Sequence, residues 1–128
     1  MRLFAPLALL LLALQFSTAD VVVTKPLKPV RCVCGQFVDP EGRSISDVVV
    51  TVLQEGVEIA RTKANDDGRF GFDELTSGSY ELKADMRGFV PFSSRIVVVN
   101  PRSKCKHGLT ILLDVGRVHG EGSRVLKQ

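Results

Sequence analysis

The sequence predicts an all-β fold, a seven-stranded antiparallel β-sandwich, on three observations. From Asp47 to Val99 the chain runs in short β-branched or alternating stretches, separated by Gly-bearing turns such as Glu55-Gly56 and Asn65-Asp66-Asp67-Gly68. Tyr80, Leu82, Ala84 and Met86 alternate with Glu81, Lys83 and Asp85, as a strand with one face in a core and one in water requires. Within the domain no stretch has the period and length of a helix.

The elements follow in order. Arg2, the apolar run Leu3 to Phe16 and the small residues Ser17-Thr18-Ala19 form the three parts of a secretory signal peptide, residues 1–19, cut before Asp20. The run falls short of the ~20 apolar residues of a membrane span, which disfavours an uncleaved anchor. Residues 20–29 contain Lys25-Pro26 and Lys28-Pro29 and read as an extended leader, because proline cannot donate to a sheet ladder. The domain then occupies residues 30–115. Its first strand runs from Val30 to Asp39 and turns at Pro40-Glu41-Gly42. The second, Asp47 to Gln54, sets Val48, Val50 and Val52 on one face, and Glu55-Gly56 turns into a third, Val57 to Ala64. Asn65-Asp66-Asp67-Gly68 is a hairpin signal, since Asn, Asp and Gly tolerate the positive φ of such turns. Phe70 and Phe72 follow on one face across Gly71, and the alternating strand through Tyr80 comes next. Arg87-Gly88-Phe89-Val90-Pro91 breaks that strand; Arg95 to Asn100 and Leu109 to Val115 complete seven. Residues 116–128, with three Gly and four charged residues, are expected to form a flexible tail.

Composition narrows the function classes. Removal of residues 1–19 leaves 109 residues, enough for one domain. Loss of Arg2 takes the 17 Lys and Arg to 16 against 14 Asp and Glu, too even a balance for a nucleic-acid surface. The domain's aromatics are Tyr80 and five Phe, with no Trp, which argues against a base-stacking platform and weakens a sugar-binding face. No later apolar stretch is long enough to span a membrane, so the mature chain is expected to be secreted, periplasmic or in the cell envelope. A monomer is expected, because the Pro-bearing leader and Pro91 blunt the sheet edges.

One motif series is specific. Gly35-x-Phe37-x-Asp39-x-x-Gly42-x-x-Ile45 is followed by Val48-x-Val50-x-Val52 and by Thr62 with Asp67-Gly68-Arg69-Phe70-x-Phe72. Leu75-x-x-Gly78-x-Tyr80-x-Leu82 and Gly88-Phe89 complete it. The series resembles the carboxypeptidase regulatory-like domain from about Val30 to Val115. The resemblance implies a transthyretin-like, Greek-key sandwich of the kind that serves beside other domains as an accessory or adhesive module. The hydroxyisourate hydrolase branch of the transthyretin-like group ends in Tyr-Arg-Gly-Ser. This chain ends Ser123-Arg124-Val125-Leu126-Lys127-Gln128, so no catalytic residue carries over.

Candidate chemistry centres on the cysteines. The only neutral-pH bases are His107 and His119, and no nucleophile is paired with either by a motif, so the expectation is a chain that is not an enzyme and needs no cofactor. Asp66, Asp67 and Asp73 are explained by turn chemistry rather than as calcium ligands. In an exported protein Cys32, Cys34 and Cys105 point to a disulfide. Residues i and i+2 of a strand lie about 6.6 Å apart, at the edge of disulfide reach, so the bridge joins Cys105 to Cys32 or to Cys34 and leaves one thiol. Cys32, Cys34, Cys105 and His107 are the alternative, a tetrahedral set for zinc or Cu(I).

The functional expectation is an exported, non-catalytic module that binds another protein through loops or a sheet edge. The alternative is a carrier of a small ligand, carbohydrate or metal, using the Cys/His end or a loop carrying Phe89 and Phe92.

Overall fold

The computed structural model describes residues 26–106, 108–116 and 122–128. The signal-peptide expectation, most of the leader, His107 and His119 lie outside these residues. The described residues form eight strands and no helix: β1 (Val33–Val38), β2 (Val49–Gln54), β3 (Val57–Lys63), β4 (Arg69–Phe72), β5 (Gly78–Asp85), β6 (Phe92–Val98), β7 (Leu109–Leu112) and β8 (Arg124–Lys127). They build two four-stranded sheets, in the orders β4-β1-β7-β8 and β3-β2-β5-β6. All-β sandwich is therefore the fold class, as expected.

Three details depart from the sequence expectation. The stretch expected to be a flexible tail carries an eighth strand, which pairs with β7 and turns Val125 onto the core. The sixth strand begins at Phe92, not Arg95, because Phe92 packs inward opposite Ala84. One pair is parallel: β1 runs alongside β7, with Gly35 opposite Leu109 and Phe37 opposite Ile111.

The period-2 pattern decides the core. Val48, Val50 and Val52 are fully buried, and Tyr80, Leu82 and Ala84 lie beside them on the same face, from the neighbouring β5. From the other sheet come Val33, Phe37, Phe70, Leu109, Ile111 and Leu113. Phe37 and Phe70 stack with ring centroids 4.9 Å apart. Each such side chain contributes roughly 1.5–3 kcal/mol by leaving water. Phe70 lies over Gly35, its cross-strand partner, where an added Cβ would strike the Leu109 carbonyl oxygen and the Phe70 ring. Glycine there lets β1 and β7 approach closely.

The turns are closed by their own side chains. Glu55 and Gly56, at φ 51° and 77°, turn β2 into β3 as expected. The Asn65 side-chain oxygen accepts from the amides of Asp67 (3.0 Å) and Arg69 (2.9 Å). The turn joins β3 of one sheet to β4 of the other, so it is a corner between layers and not a hairpin within one. After β1, the Asp39 carboxylate accepts from the amides of Glu41 and Arg43 and pairs with the Arg43 guanidinium at 3.0 Å. The Arg43 amide bond leads the effects that lower the pKa of Asp39 below its ordinary value. Val30 extends the leader along β6, its amide donating to Val97 and its carbonyl accepting from Val99, both at 2.9 Å.

Candidate functional site

Cys32 and Cys34 flank the inward-facing Val33, so the alternation of an extended chain sends both to the outer face of the first sheet. The loop bearing Cys105 is laid over them. The Arg31 side chain donates to the Asn100 carbonyl at 3.0 Å, and the Arg102 amide donates to the Arg31 carbonyl at 2.9 Å. At its other end the loop enters β7 where Gly108 packs against Cys34 and Gly35. A Cβ on Gly108 would lie 3.0 Å from the Cys34 carbonyl oxygen. Gly71, the cross-strand partner of Cys34, has no side chain to cover it.

The result is a three-sulfur cluster. Cα separations are 5.5 Å for Cys32–Cys105 and 6.3 Å for Cys34–Cys105, both ordinary disulfide spans. Either span lets Cys105 pair with one of the two neighbours. A sulfur forms one disulfide at a time, so the two pairings exclude each other. All three sulfurs lie within 4.8 Å of one another and are half-buried. Fully reduced, they offer three soft ligands to a metal ion such as Cu(I). His107, the fourth ligand of the expected set, lies outside the described residues. A recess of about 330 Å³ opens against Cys34 and Cys105, walled by Gln36, Arg69, Lys106 and Thr110.

A second concavity, about 480 Å³, lies where the edges of β3 and β4 face each other. Ile59, Phe72, Leu75 and Tyr80 supply its apolar lining and Asp73 and Glu74 its carboxylates. Ile59 owes its place to a bulge: Val52 pairs with Ala60 and Leu53 with Glu58, leaving Ile59 without a partner. Arg61 also borders the groove, with its guanidinium held by Glu58 at 2.6 Å.

Residues 33–111 match the sequence model of the carboxypeptidase regulatory-like domain family, more than half of the chain. The chain belongs to that family. Its motif residues are structural in this carboxypeptidase regulatory-like domain: Tyr80 donates its hydroxyl to the Thr76 carbonyl at 2.7 Å, and Gly68 turns the corner at φ 73°. None of the curated proteins compared with the domain matches it. Among solved structures it is similar to the 5-hydroxyisourate hydrolase of Klebsiella pneumoniae, with a TM-score of 0.58 and 20% identity. The match covers 76% of this chain and 98% of the hydrolase.

That match corrects the expectation of a chain that is not an enzyme. A hydrolase is built on the same sandwich, so the architecture is compatible with catalysis; at this identity the likeness establishes the fold and assigns no residue. The aromatic loop is also corrected. Phe92 is 4% exposed and belongs to the core, and Phe89 packs against it, so neither forms an exposed platform for a sugar. The cysteines are brought together as expected. The groove and the cations beside Cys34 were not read from the sequence, because Ile59, Phe72, Arg69 and Lys106 meet their surroundings only through strand order.

Proposed function

We propose that this domain is an exported module that binds an extended, basic segment of a partner protein along the open edge of β3. The observation that carries the reading is the pairing of exposed apolar side chains with a groove. Val57 and Ile59 are 63% and 45% exposed, and Ile59 opens into the concavity between β3 and β4. An edge strand offers unpaired amides and carbonyls to an incoming strand, while pockets beside it select side chains. Asp73 and Glu74 favour a cationic partner, since the charge of Arg61 is already offset by Glu58. Export rests on the apolar Leu3 to Phe16 run and the small residues that end it.

The test is an amide NMR titration with two extended peptides, one alternating Val with Lys and one alternating Val with Glu. The Lys peptide is expected to shift the β3 and Phe72–Thr76 amides, and Ile59→Asp is expected to abolish the shifts with the fold retained. Equal response to the Glu peptide, or shifts confined to other faces, would overturn the reading. Intact mass from the exported fraction is expected to begin at Asp20; a chain retaining residue 1 would overturn export.

A further inference from the structure

We infer that the cysteine cluster is a thiol–disulfide exchange site that presents Cys34 to small anionic disulfides. Cys105 lies at a disulfide's Cα span from both Cys32 and Cys34, 5.5 and 6.3 Å, with the three sulfurs clustered within 4.8 Å, and three thiols make one bridge and leave one thiol. When Cys32 and Cys105 are bridged, the Cys34 thiolate attacks the Cys105 sulfur. The Cys34–Cys105 bond forms, the Cys32–Cys105 bond breaks, and its electron pair leaves on Cys32, which takes up the proton Cys34 gave away. No external oxidant or reductant enters this step.

The two pairings differ in what they show to solvent. Cys34 borders the recess and Cys32 does not, so the thiol faces the recess only while Cys32 holds Cys105. Among the described residues Arg69 and Lys106 wall that recess, and no carboxylate does. Cations beside a thiol favour its thiolate, the attacking species, and attract an anion. The reactant that fits is a disulfide R–S–S–R carrying carboxylates. Cys34 attacks one of its sulfurs, a Cys34–S–S–R bond forms, and the other half leaves as RS⁻. Cys34 is oxidised as that half is reduced. Return of Cys105 to Cys34 would expel the captured group only by reopening the Cys32 bridge, so the adduct is held until a second thiol removes it.

The experiment uses the purified protein, quenched in acid, labelled with a maleimide and mapped without reduction. Label is expected on both Cys32 and Cys34 and not on Cys105. Cys32→Ser and Cys34→Ser are each expected to be two hydrogens lighter than their reduced forms, because each retains one partner for Cys105. Oxidised glutathione, an anion, and cystamine, a cation, are then compared at low salt. The glutathione adduct is expected on Cys34 and to form about threefold faster or more than the cystamine adduct. Arg69→Gln with Lys106→Gln, a variant that retains all three cysteines, is expected to remove the preference. Label confined to one cysteine, metal retained by three reduced thiols, an adduct on Cys32, or cystamine reacting as fast would each overturn the proposal.

Discussion

At Gly68 the backbone is left-handed, at φ 73°, and it is also buried. A Cβ added there would lie 2.9 Å from both the Ile45 and Phe37 carbonyl oxygens, which are backbone atoms of neighbouring segments and cannot swing aside. Two separate effects therefore act against a side chain, the αL conformation and the contact. Gly68→Ala is expected to destabilise the domain by about 2–3 kcal/mol, read as a lowered urea midpoint at unchanged slope. A loss under ~0.5 kcal/mol would show that the corner relaxes freely. At this scale the sequence was informative: Asn65-Asp66-Asp67-Gly68 announced a positive-φ turn, which Gly68 makes, while the Asn65 side chain bonds the Asp67 and Arg69 amides. The sheet each flanking strand joins was hidden, because that depends on partners distant in sequence.

Strand β2 was legible as a continuous β-branched run and β5 as a strict alternation of period 2, and Val48, Val50, Val52, Leu82 and Ala84 sit where those patterns put them. Strand β8 was not, since Arg124, Leu126 and Lys127 give it little apolar face and only Val125 turns to the core. Side-chain bonds at its start anchor it. Ser123 accepts from the Asp114 amide at 2.9 Å and donates to the Val90 carbonyl at 2.5 Å, while Asp114 accepts from the Gly122 amide at 3.0 Å. One hydroxyl thus ties the β8 entry to the end of β7 and to the loop between β5 and β6. Ser123→Ala strands the Asp114 amide and the Val90 carbonyl in a half-buried site, at a cost of about 1–3 kcal/mol. Hydrogen exchange is expected to quicken at Val125 and the neighbouring β7 amides and stay slow in β2 and β5. Uniform protection across all strands would mean that β8 is held by other contacts.

Across the whole molecule, the cysteines act on the two sheets' closure more than on any single strand. Cys105 lies 73 residues from Cys32 and 71 from Cys34, so either bridge closes a loop that encloses β2 through β6 and most or all of β1. Loop-closure entropy depends on the logarithm of that length, so the two pairings stabilise the domain almost equally, by about 4 kcal/mol each in the chain-entropy model. Equal stabilisation is what permits exchange between them, because neither state is a thermodynamic sink. The arrangement was half legible: Cys-x-Cys on one strand and a lone distant Cys implied one bridge and one thiol. That both pairings lie within reach depended on Gly35 and Gly108, which let the Cys105 loop approach β1. Cys32→Ser and Cys34→Ser are therefore expected to unfold at urea midpoints close to each other and to the unsubstituted protein, whereas Cys105→Ser, which loses both bridges, is expected to fall by about 4 kcal/mol. Adding a reductant should lower the first three to the level of Cys105→Ser and leave that variant unmoved. If one single-serine variant instead falls with Cys105→Ser, only one pairing forms, and the symmetry of the cluster is geometric without being chemical.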